Sequence, residues 1–346
     1  MSAVLKVVQP GLHTTVQDLG RFGHQDVGVP VSGPLDSESL RLANALAGNP
    51  PGTAALEILV QGPTLEVAAD SVRLALTGTQ TGIEIRGDET APRILPPWRS
   101  LRLRRGQIFR VGALSDSACA YLAVEGGFDI APCLGSVSTY ARGGLGGLAG
   151  RPLQAGDLLP LALEEATDRG EAALRQVPDL GLSRPVRVVL GPQDDHFTAE
   201  AVRTFLSAEY RISPNADRMG FRLEGPKLEH RDGYNIVSDG IVTGAVQVPG
   251  SGQPILLLAD HQTTGGYPKI ATVISADLPV VGRRRPGSPI RFAAVDVAEA
   301  ETIRRRQEAT LQRLARQLQP VAESGDIDLA SLYSGNLISG VVSARD

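Results

Sequence analysis

Short segments in which apolar and polar residues alternate recur along the chain. The alternation is clearest in four of them: SVRLAL at 71–76, GIEIRG at 82–87, SLRLRRG at 100–106 and SPIRFA at 288–293. Successive side chains of a strand point to opposite faces of a sheet, so this period of two gives each strand one buried face. The pattern therefore predicts a mainly β protein built from many short strands.

Two helices are predicted from capping signals combined with an apolar face. The first runs from Asp36 to Ala47, with Asp36 as its N-cap and GNP at 48–50 as its stop. The last spans about 296–319, where Asp296 and Glu299 resemble a capping box and several leucines form a stripe. We expect this stripe to pack on the C-terminal half of the chain.

Two further helices are predicted between these. One runs roughly from Asp194 to Ser207, and Phe197, Ala201 and Phe205 form its apolar face. The other follows Pro268, at the end of ILLLADHQTTGGYPKIATVI (255–274), which begins as an apolar strand.

A charged segment, followed by proline and glycine, interrupts the β pattern at LEEATDRGEAALRQVPDLGLSRP (163–185). We interpret it as the boundary between two units. The predicted organisation is an N-terminal β-rich half at 1–165, a linker at 166–185, and a C-terminal half at 186–346 that carries the long helix.

Composition narrows the possible functions. Lysine and arginine number 34 against 38 acidic residues, so the net charge of −4 argues against a nucleic-acid partner. No apolar run is long enough to span a bilayer, and MSAVLKVVQPG lacks signal-peptide features, so we expect a cytoplasmic protein without a membrane partner. Cys119 and Cys133 lack CxxC spacing, which favours reduced, packed thiols.

Several familiar sites are absent from the sequence. GLGGLA at 144–149 has dinucleotide-motif spacing, but no strand precedes it and Pro152 follows it, so we reject a Rossmann site. GxxxxGK[ST] and GxSxG do not occur. The five histidines lack metal-ligand spacing, so no metal is expected and each is interpreted as a turn or surface residue, with His261 in the best context for chemistry.

The strongest candidate site lies within 255–274. If a helix starts after Pro268, the preceding glycines would bring backbone N–H groups close to an anion, and Lys269 would oppose the helix dipole unless it bound that anion. Asp260 and His261 are candidates for proton transfer. An ordinary glycine turn with a solvated lysine is an equally good interpretation. The candidate substrate-binding residues here are Thr263, Thr264, Gly265, Gly266 and Tyr267.

Three other polar segments suggest anion binding, although each alone is typical of an ordered loop. Their candidate residues are Arg21 and Ser32 in the first, Ser138, Thr139 and Arg142 in the second, and Arg218 in the third. We expect QDLGRFG (17–23), GSVSTYARGG (135–144) and TTGGYPK (263–269) to converge on one cleft. The arginine run at 283–285 is expected to face solvent.

These segments together resemble the biotin-dependent carboxyltransferase-like family. That family includes the C subunit of prokaryotic 5-oxoprolinase, KipA, and the urea-carboxylase-associated protein once called allophanate hydrolase subunit 2. The resemblance extends over nearly the whole chain, and its most specific block is SDGIVTGAVQVPGSGQPILLLADHQTTGGYPKIATV (238–273). It implies two β-barrel-like halves related to the cyclophilin-like fold, with a cleft between them.

The resemblance also implies a reaction. In 5-oxoprolinase, the C, A and KipI-like B subunits together open 5-oxoproline to glutamate at the expense of ATP. Lys269, Gly265 and Gly266 would then stabilise anionic charge, Arg21 or Arg142 would hold the substrate carboxylate, and Asp260 or His261 would assist proton transfer.

Two alternatives remain open. The chain would instead be the carboxyltransferase component of a biotin-dependent urea-carboxylase-type enzyme, with biotin modules elsewhere, or a non-catalytic KipA-type antagonist of a kinase inhibitor. The carboxyltransferase-like region accounts for all the blocks of this sequence, so no biotin-attachment or biotin-carboxylase module can be fitted into it. We therefore prefer the 5-oxoprolinase hypothesis.

Overall fold

A computed structural model describes residues 3–86 and 92–321. Three parts of the predicted elements lie outside these ranges. They are the start of the N-terminal half at 1–2, the end of the C-terminal half at 322–346, and the last residue of the GIEIRG segment. Within them the chain is mostly β, with four α-helices. The predicted fold class is confirmed.

The N-terminal half contains two antiparallel sheets and one helix. Its six-stranded sheet has the order β11-β1-β4-β9-β6-β7, and its five-stranded sheet has the order β2-β3-β10-β5-β8. The elements are β1 (Val4–Gln9), β2 (His13–Gln17), α1 (Ser37–Ala47), β3 (Ala55–Leu59), β4 (Thr64–Val67), β5 (Ser71–Thr77), β6 (Ile83–Arg86), β7 (Arg93–Leu95), β8 (Ser100–Arg104), β9 (Ile108–Val111), β10 (Cys119–Val124) and β11 (Leu158–Pro160).

The five-stranded sheet is buried on both faces. Leu74 of β5 and Leu122 of β10 point into the core that lies between the two sheets. Tyr121 and Ala123 of β10 point the other way, into a second core shared with α1 and the C-terminal half. Period-two alternation thus links the two halves through a single sheet.

The C-terminal half is built on one eight-stranded sheet with the order β21-β14-β15-β18-β17-β20-β13-β22. Two short pairs, β12–β23 and β16–β19, stand apart from it. The elements are β12 (Ala172–Leu174), β13 (Val186–Leu190), α2 (Ala199–Ser207), β14 (Tyr210–Asp217), β15 (Gly220–Glu224), β16 (Asp239–Gly240), β17 (Ala245–Gln247), β18 (Ile255–Leu257), β19 (Thr264–Gly265), β20 (Lys269–Val273), α3 (Leu278–Gly282), β21 (Pro289–Ile290), β22 (Phe292–Ala294), α4 (Val297–Arg316) and β23 (Leu318–Pro320).

This sheet curls into a nearly closed barrel. Its two edge strands, β21 and β22, are separated in sequence by a single residue, Arg291, so the first and last strands must lie side by side. The barrel interior is filled by the inward-facing residues of its strands, such as Phe221, Val246 and Leu256.

The predicted helix caps are confirmed. The Asp36 carboxylate accepts a hydrogen bond from the Ser39 amide at 3.0 Å, and the Asp296 carboxylate accepts one from the Glu299 amide at 2.7 Å. The second helix starts later than predicted, because Thr198 is its N-cap and residues 194–196 form a 3-10 turn.

The helix predicted after Pro268 is wrong. Residues Lys269–Val273 form strand β20, which pairs with β13 and β17 inside the barrel sheet. Ile270, Thr272 and Val273 are β-branched, and such residues pack well on a pleated sheet but lose side-chain freedom in a helix.

The expected packing of the long helix is also wrong. Leu311 of α4 contacts a cluster that contains Leu42 and Leu46 of α1, so the helix docks on the N-terminal half. Arg41 of α1 donates two hydrogen bonds to the Glu308 carboxylate, at 2.8 and 2.6 Å. The reason is that Leu42 and Leu46 form a second apolar stripe on α1, and Leu311 of α4 packs against it. The assignment of 166–185 as a linker stays a prediction.

Leu311→Ala tests this docking. Leu311 is 5% exposed, so its truncation should lower the free energy of unfolding by about 2–4 kcal/mol. Val297→Ala, on the same helix but at a position that is 59% exposed, should change it by less than about 0.5 kcal/mol. Urea unfolding followed by circular dichroism measures both, and equal effects would contradict the docking.

Candidate functional site

A buried arginine joins the two halves. Arg218 lies in the turn between β14 and β15, and its guanidinium donates to both carboxylate oxygens of Asp260, at 2.8 and 3.1 Å. It also donates to the Gly33 carbonyl at 2.7 Å and to the Glu57 carboxylate, both in the N-terminal half. Burial disfavours the charge, but Glu57 and Asp260 together raise the pKa of Arg218 above its usual value.

The network continues through β10 to the start of α1. The Tyr121 hydroxyl donates to Glu57 at 2.5 Å and accepts from the Asp36 amide at 2.8 Å. The Asp36 carboxylate in turn accepts from Arg283 at 2.6 and 2.8 Å. Burial, reinforced by the Glu57 charge, raises the pKa of Tyr121 well above its usual value, so the phenol stays protonated.

The expectation that the run at 283–285 faces solvent is wrong for its first two residues. Arg283 and Arg284 are buried, whereas Arg285 is exposed. The backbone of α3 approaches the loop before α1 so closely that a Cβ on Gly282 would lie 2.3 Å from the Leu35 carbonyl oxygen. Arg283 follows this contact and therefore enters the interface, where Asp36 compensates its charge.

Two of the polar loops predicted from the sequence meet beside this interface. Arg21 is fully buried and donates to the Cys133 carbonyl at 3.0 Å and the Ser138 carbonyl at 2.8 Å. Asp18 accepts from the Ser136 and Ser138 hydroxyls, each at 2.6 Å. Burial opposes its ionisation, but these hydrogen bonds and two backbone amides lower the pKa of Asp18.

Two more candidates from these loops are also buried. The Thr139 hydroxyl donates to the Val16 carbonyl at 3.0 Å, and the Ser32 amide donates to the Ala259 carbonyl at 3.1 Å. Their positions, like those of Arg21, Ser138, Arg218 and Asp260, are explained by the contacts that hold the loops and the two halves together. Their roles toward a substrate stay predictions.

A cleft lies on the outer face of the barrel. In β15, β17 and β18, Phe221, Val246 and Leu256 point into the barrel core, so their neighbours in sequence point outward. These outward residues form the floor of a cavity of about 460 Å³. They are Gly220, Arg222, Gln247, Ile255 and Leu257.

Side chains from both halves form the walls of this cleft. Arg142 comes from the N-terminal half, and Gln262 and Tyr267 come from the loop that flanks β19. The closest nitrogen of Arg142 lies 3.9 Å from an oxygen of Asp217, and both side chains are exposed. This ion pair is loose, so the guanidinium is available to an anionic ligand.

The structure therefore brings together Arg142 and Tyr267, both predicted from the sequence, whereas Arg21 does not line the cleft. Sequence reasoning missed Arg222, Gln247 and Gln262. The alternation in β15 and β17 indicates only that Arg222 and Gln247 face away from the barrel core.

The predicted anion cradle before a helix is wrong, since no helix follows it. Gly265 lies in strand β19, which pairs with β16, and the Gly266 carbonyl accepts from the Ile236 amide at 2.9 Å. Thr264 is exposed and takes part in this pairing opposite Gly240, and Thr263, which precedes it, is partly exposed. Their backbone groups are thus used in short strand pairs and not gathered at a helix N-terminus.

Lys269 occupies a different environment from the one expected. Its side chain is 3% exposed, and its ammonium donates to the Asp239 carboxylate at 3.0 Å. This hydrogen bond is the main cause of a lowered pKa of Asp239. Lys269 does not line the cleft, although its strand neighbour Gln247 does.

His261 is buried, and the residue after it, Gln262, lines the cleft. Burial lowers the pKa of its imidazole, so the ring is neutral near pH 7. Its Nδ1 lies 2.6 Å from the Gln262 carbonyl oxygen, which can only accept, so Nδ1 carries the proton. The other nitrogen, Nε2, is then unprotonated and able to accept a proton.

Across residues 3–86 and 92–321, no group of three or more His, Cys, Asp or Glu side chains is arranged to hold a metal ion. In the same ranges, no helix has the length and apolar character needed to cross a membrane. Cys119 and Cys133 are both free thiols, and burial raises the pKa of Cys119 well above its usual value.

Comparison with known proteins identifies relatives for most of the chain. The model of the carboxyltransferase domain, subdomain A and B, matches residues 27–294. The chain is 38% identical over 315 residues to the C subunit of 5-oxoprolinase from Escherichia coli strain K12, and the match covers 91% of this chain and 99% of that protein.

Urea-processing enzymes are also similar. Urea amidolyase of Saccharomyces cerevisiae is 30% identical over 332 residues, covering 90% of this chain and 18% of that protein. The crystal structure of K. lactis urea amidolyase superimposes with a TM-score of 0.81 and 29% identity, over 93% of this chain. This chain corresponds to 21% of that enzyme's length.

Arg218→Met tests the network between the halves. It leaves Glu57 and Asp260 buried without their cation, so the free energy of unfolding should fall by about 3–5 kcal/mol. Adding Glu57→Gln removes one of these charges and should recover part of the loss. Arg211→Met, at an exposed position, is the control for chemical denaturation. A loss no larger than that of the control would show that the network does not hold the halves together.

Asp18→Asn tests the contact between the loops. Since the folded pKa of Asp18 is lowered, its carboxylate stabilises the fold above about pH 4, and this stabilisation is lost as pH falls through the folded pKa. The variant should be less stable than the parent at pH 7 by about 1–3 kcal/mol, with the gap closing at low pH. Thermal melts from pH 3 to 7, with Asp26→Asn as the exposed control, measure this. A gap that does not vary with pH would exclude the carboxylate as its cause.

Proposed function

The chain belongs to the family of carboxyltransferase domains, subdomains A and B, and we propose that it is the C subunit of a 5-oxoprolinase. The observation that carries the proposal is the almost end-to-end match with the E. coli protein. As the family resemblance implies, it would work with the A subunit of that enzyme, together with its KipI-like B subunit. The three would open 5-oxoproline to glutamate and consume ATP.

The cleft on the barrel suits such a substrate. 5-Oxoproline is a small five-membered lactam that carries one carboxylate. A cavity of about 460 Å³ is within the range of small-molecule sites. Arg142 and Arg222 supply cations at its wall and floor, while Gln247 and Gln262 supply amide groups. The cleft therefore offers partners for both ends of the molecule.

Arg142 is the proposed carboxylate ligand. Its guanidinium has only a long-range contact with Asp217, at 3.9 Å, which a substrate carboxylate would replace with a shorter, paired interaction. Binding the substrate by its carboxylate would leave the lactam ring directed at the floor of the cleft.

Proton transfer is assigned to His261 in preference to Asp260. Both oxygens of Asp260 accept from Arg218, so this carboxylate is already engaged. His261 is neutral, with Nδ1 fixed by the Gln262 carbonyl and Nε2 able to accept a proton. Its neighbour in sequence, Gln262, lines the cleft, and the imidazole is assigned to accept a proton from the water that attacks the lactam.

ATP would activate the lactam by phosphorylating its carbonyl oxygen. Water would then add to that carbon, the ring C–N bond would break as the nitrogen takes up a proton, and hydrolysis of the acyl phosphate so formed would release glutamate and phosphate. The chain lacks the phosphate-binding sequence GxxxxGK[ST], so we assign no residue of this chain to the nucleotide. The part of this chain is to bind the lactam, orient it and accept a proton.

A carboxyltransferase role in a biotin-dependent urea enzyme is the second candidate. It is favoured by the superposition on K. lactis urea amidolyase. Reconstitution separates the two functions. The chain is mixed with its B and A partners and assayed for ATP-dependent release of glutamate from 5-oxoproline, and in parallel for carboxylation of urea with a biotin carboxylase and biotin carrier. Glutamate release supports the first function, and urea carboxylation without glutamate release replaces it with the second.

Arg142→Ala should raise the KM for 5-oxoproline in the reconstituted complex by about 10- to 100-fold, because it removes a charged hydrogen-bond partner of the carboxylate. Its melting temperature should not change, since Arg142 is exposed. Arg211→Ala, exposed on the same half as the cleft floor, is the matched control. An unchanged KM would remove Arg142 from the site.

A further inference from the structure

Gln247 is a buried carboxamide on the floor of the cleft. It is 2% exposed, and its contacts with the protein are long: Nε2 lies 3.5 Å from the Tyr267 carbonyl oxygen and Oε1 lies 3.4 Å from Nε2 of Gln262. Good N–H···O hydrogen bonds measure about 2.7–3.2 Å. Neither end of this amide is therefore well satisfied, although buried polar groups are normally paired.

The backbone around Gln247 keeps this amide in place. Gln247 ends strand β17, where it pairs with Ile255 on one side and Lys269 on the other. A Cβ on Gly265 would lie 2.6 Å from Nε2 of Gln247 and 2.7 Å from a methyl group of Ile241. Glycine at position 265 therefore makes the space in which the carboxamide lies.

We infer that Gln247 recognises the cis amide of a cyclic substrate through two paired hydrogen bonds. This inference rests on the proposed function. In a five-membered lactam the ring forces the amide to be cis, so its C=O and N–H lie on one edge. The side-chain carboxamide of glutamine presents the complementary pair. Nε2 would donate to the ring carbonyl while Oε1 accepts from the ring N–H.

This pairing selects rings over open chains. Open-chain secondary amides are overwhelmingly trans and present C=O and N–H on opposite edges, so they can satisfy only one end of Gln247. The weak contacts from Gln262 and Tyr267 are lost at little cost when a ring enters. Arg142 would then add selectivity for a ring that carries a carboxylate.

The same edge occurs in two kinds of ring. A lactam such as 5-oxoproline has it, and so does the cyclic urea of biotin. Both rings contain a cyclic cis amide. Small probe molecules distinguish a lactam from a cyclic urea as the ligand. These are 2-pyrrolidone, the lactam without a carboxylate, and 2-imidazolidinone, the cyclic urea. N-methyl-2-pyrrolidone lacks the N–H, and N-methylacetamide is trans.

The test measures binding of the probes to the reconstituted complex by ligand-observed NMR, together with 5-oxoproline kinetics. The parent complex should bind 2-pyrrolidone about 10-fold or more tightly than N-methyl-2-pyrrolidone and N-methylacetamide, the scale of two neutral hydrogen bonds. Gln247→Met, which keeps the length of the side chain, should abolish this preference. It should leave N-methyl-2-pyrrolidone binding unchanged and reduce kcat/KM for 5-oxoproline about 10-fold or more. Gln80→Met, at an exposed position, is the control.

The outcomes separate this inference from the proposed function. If the complex cleaves 5-oxoproline and Gln247→Met keeps the preference for 2-pyrrolidone, the inference is wrong and the function stands. A second outcome is that the complex releases no glutamate but binds 2-imidazolidinone more tightly than N-methyl-2-pyrrolidone and N-methylacetamide, and that Gln247→Met abolishes this preference. The inference then stands, with a cyclic urea as the ligand. If the parent shows no preference among the four probes, the inference is wrong whatever the complex hydrolyses.

Discussion

The guanidinium of Arg218, held between Glu57 and Asp260, is the interaction on which the rest of the structure depends. Two buried carboxylates cannot face each other across an interface without a cation, so the position of one half relative to the other is fixed by this triad. The same geometry brings Arg142, from one half, over the barrel face of the other. The cleft exists because the charges of the interface are satisfied in one arrangement.

Local signals in the sequence were sufficient where the deciding partner lies nearby in the chain. The caps at Asp36 and Asp296 act on amides three residues away, and both were predicted. Arg283 is different, because the carboxylate that allows its burial is 247 residues distant. The helix prediction for the segment after Pro268 was wrong for another reason. A short apolar run fits either a helix or a strand, and here pairing within the barrel sheet makes it a strand.

The site was predicted in part for similar reasons. Arg142 and Tyr267 lie in glycine-rich loops, where an arginine or an exposed aromatic residue is typical of a binding site. Gln247 and Arg222 stand in strands, at positions whose alternation indicates an outward face that would ordinarily be solvated. That face becomes the floor of a cleft only because residues of the other half cover it. No pattern within β15 or β17 contains this information.

Closure of the barrel by β21 and β22 affects the order in which the two halves can fold while the chain is being synthesised. The two N-terminal sheets hold strands from residues before 161 and can pair as soon as that part has left the ribosome. The barrel must wait, because β14 and β13 each gain a neighbour from residues 289–294. Until then both strands present open edges, and long-range pairings of this kind form slowly. The half that supplies the floor of the cleft is therefore the half most dependent on protection from aggregation while the chain is being made.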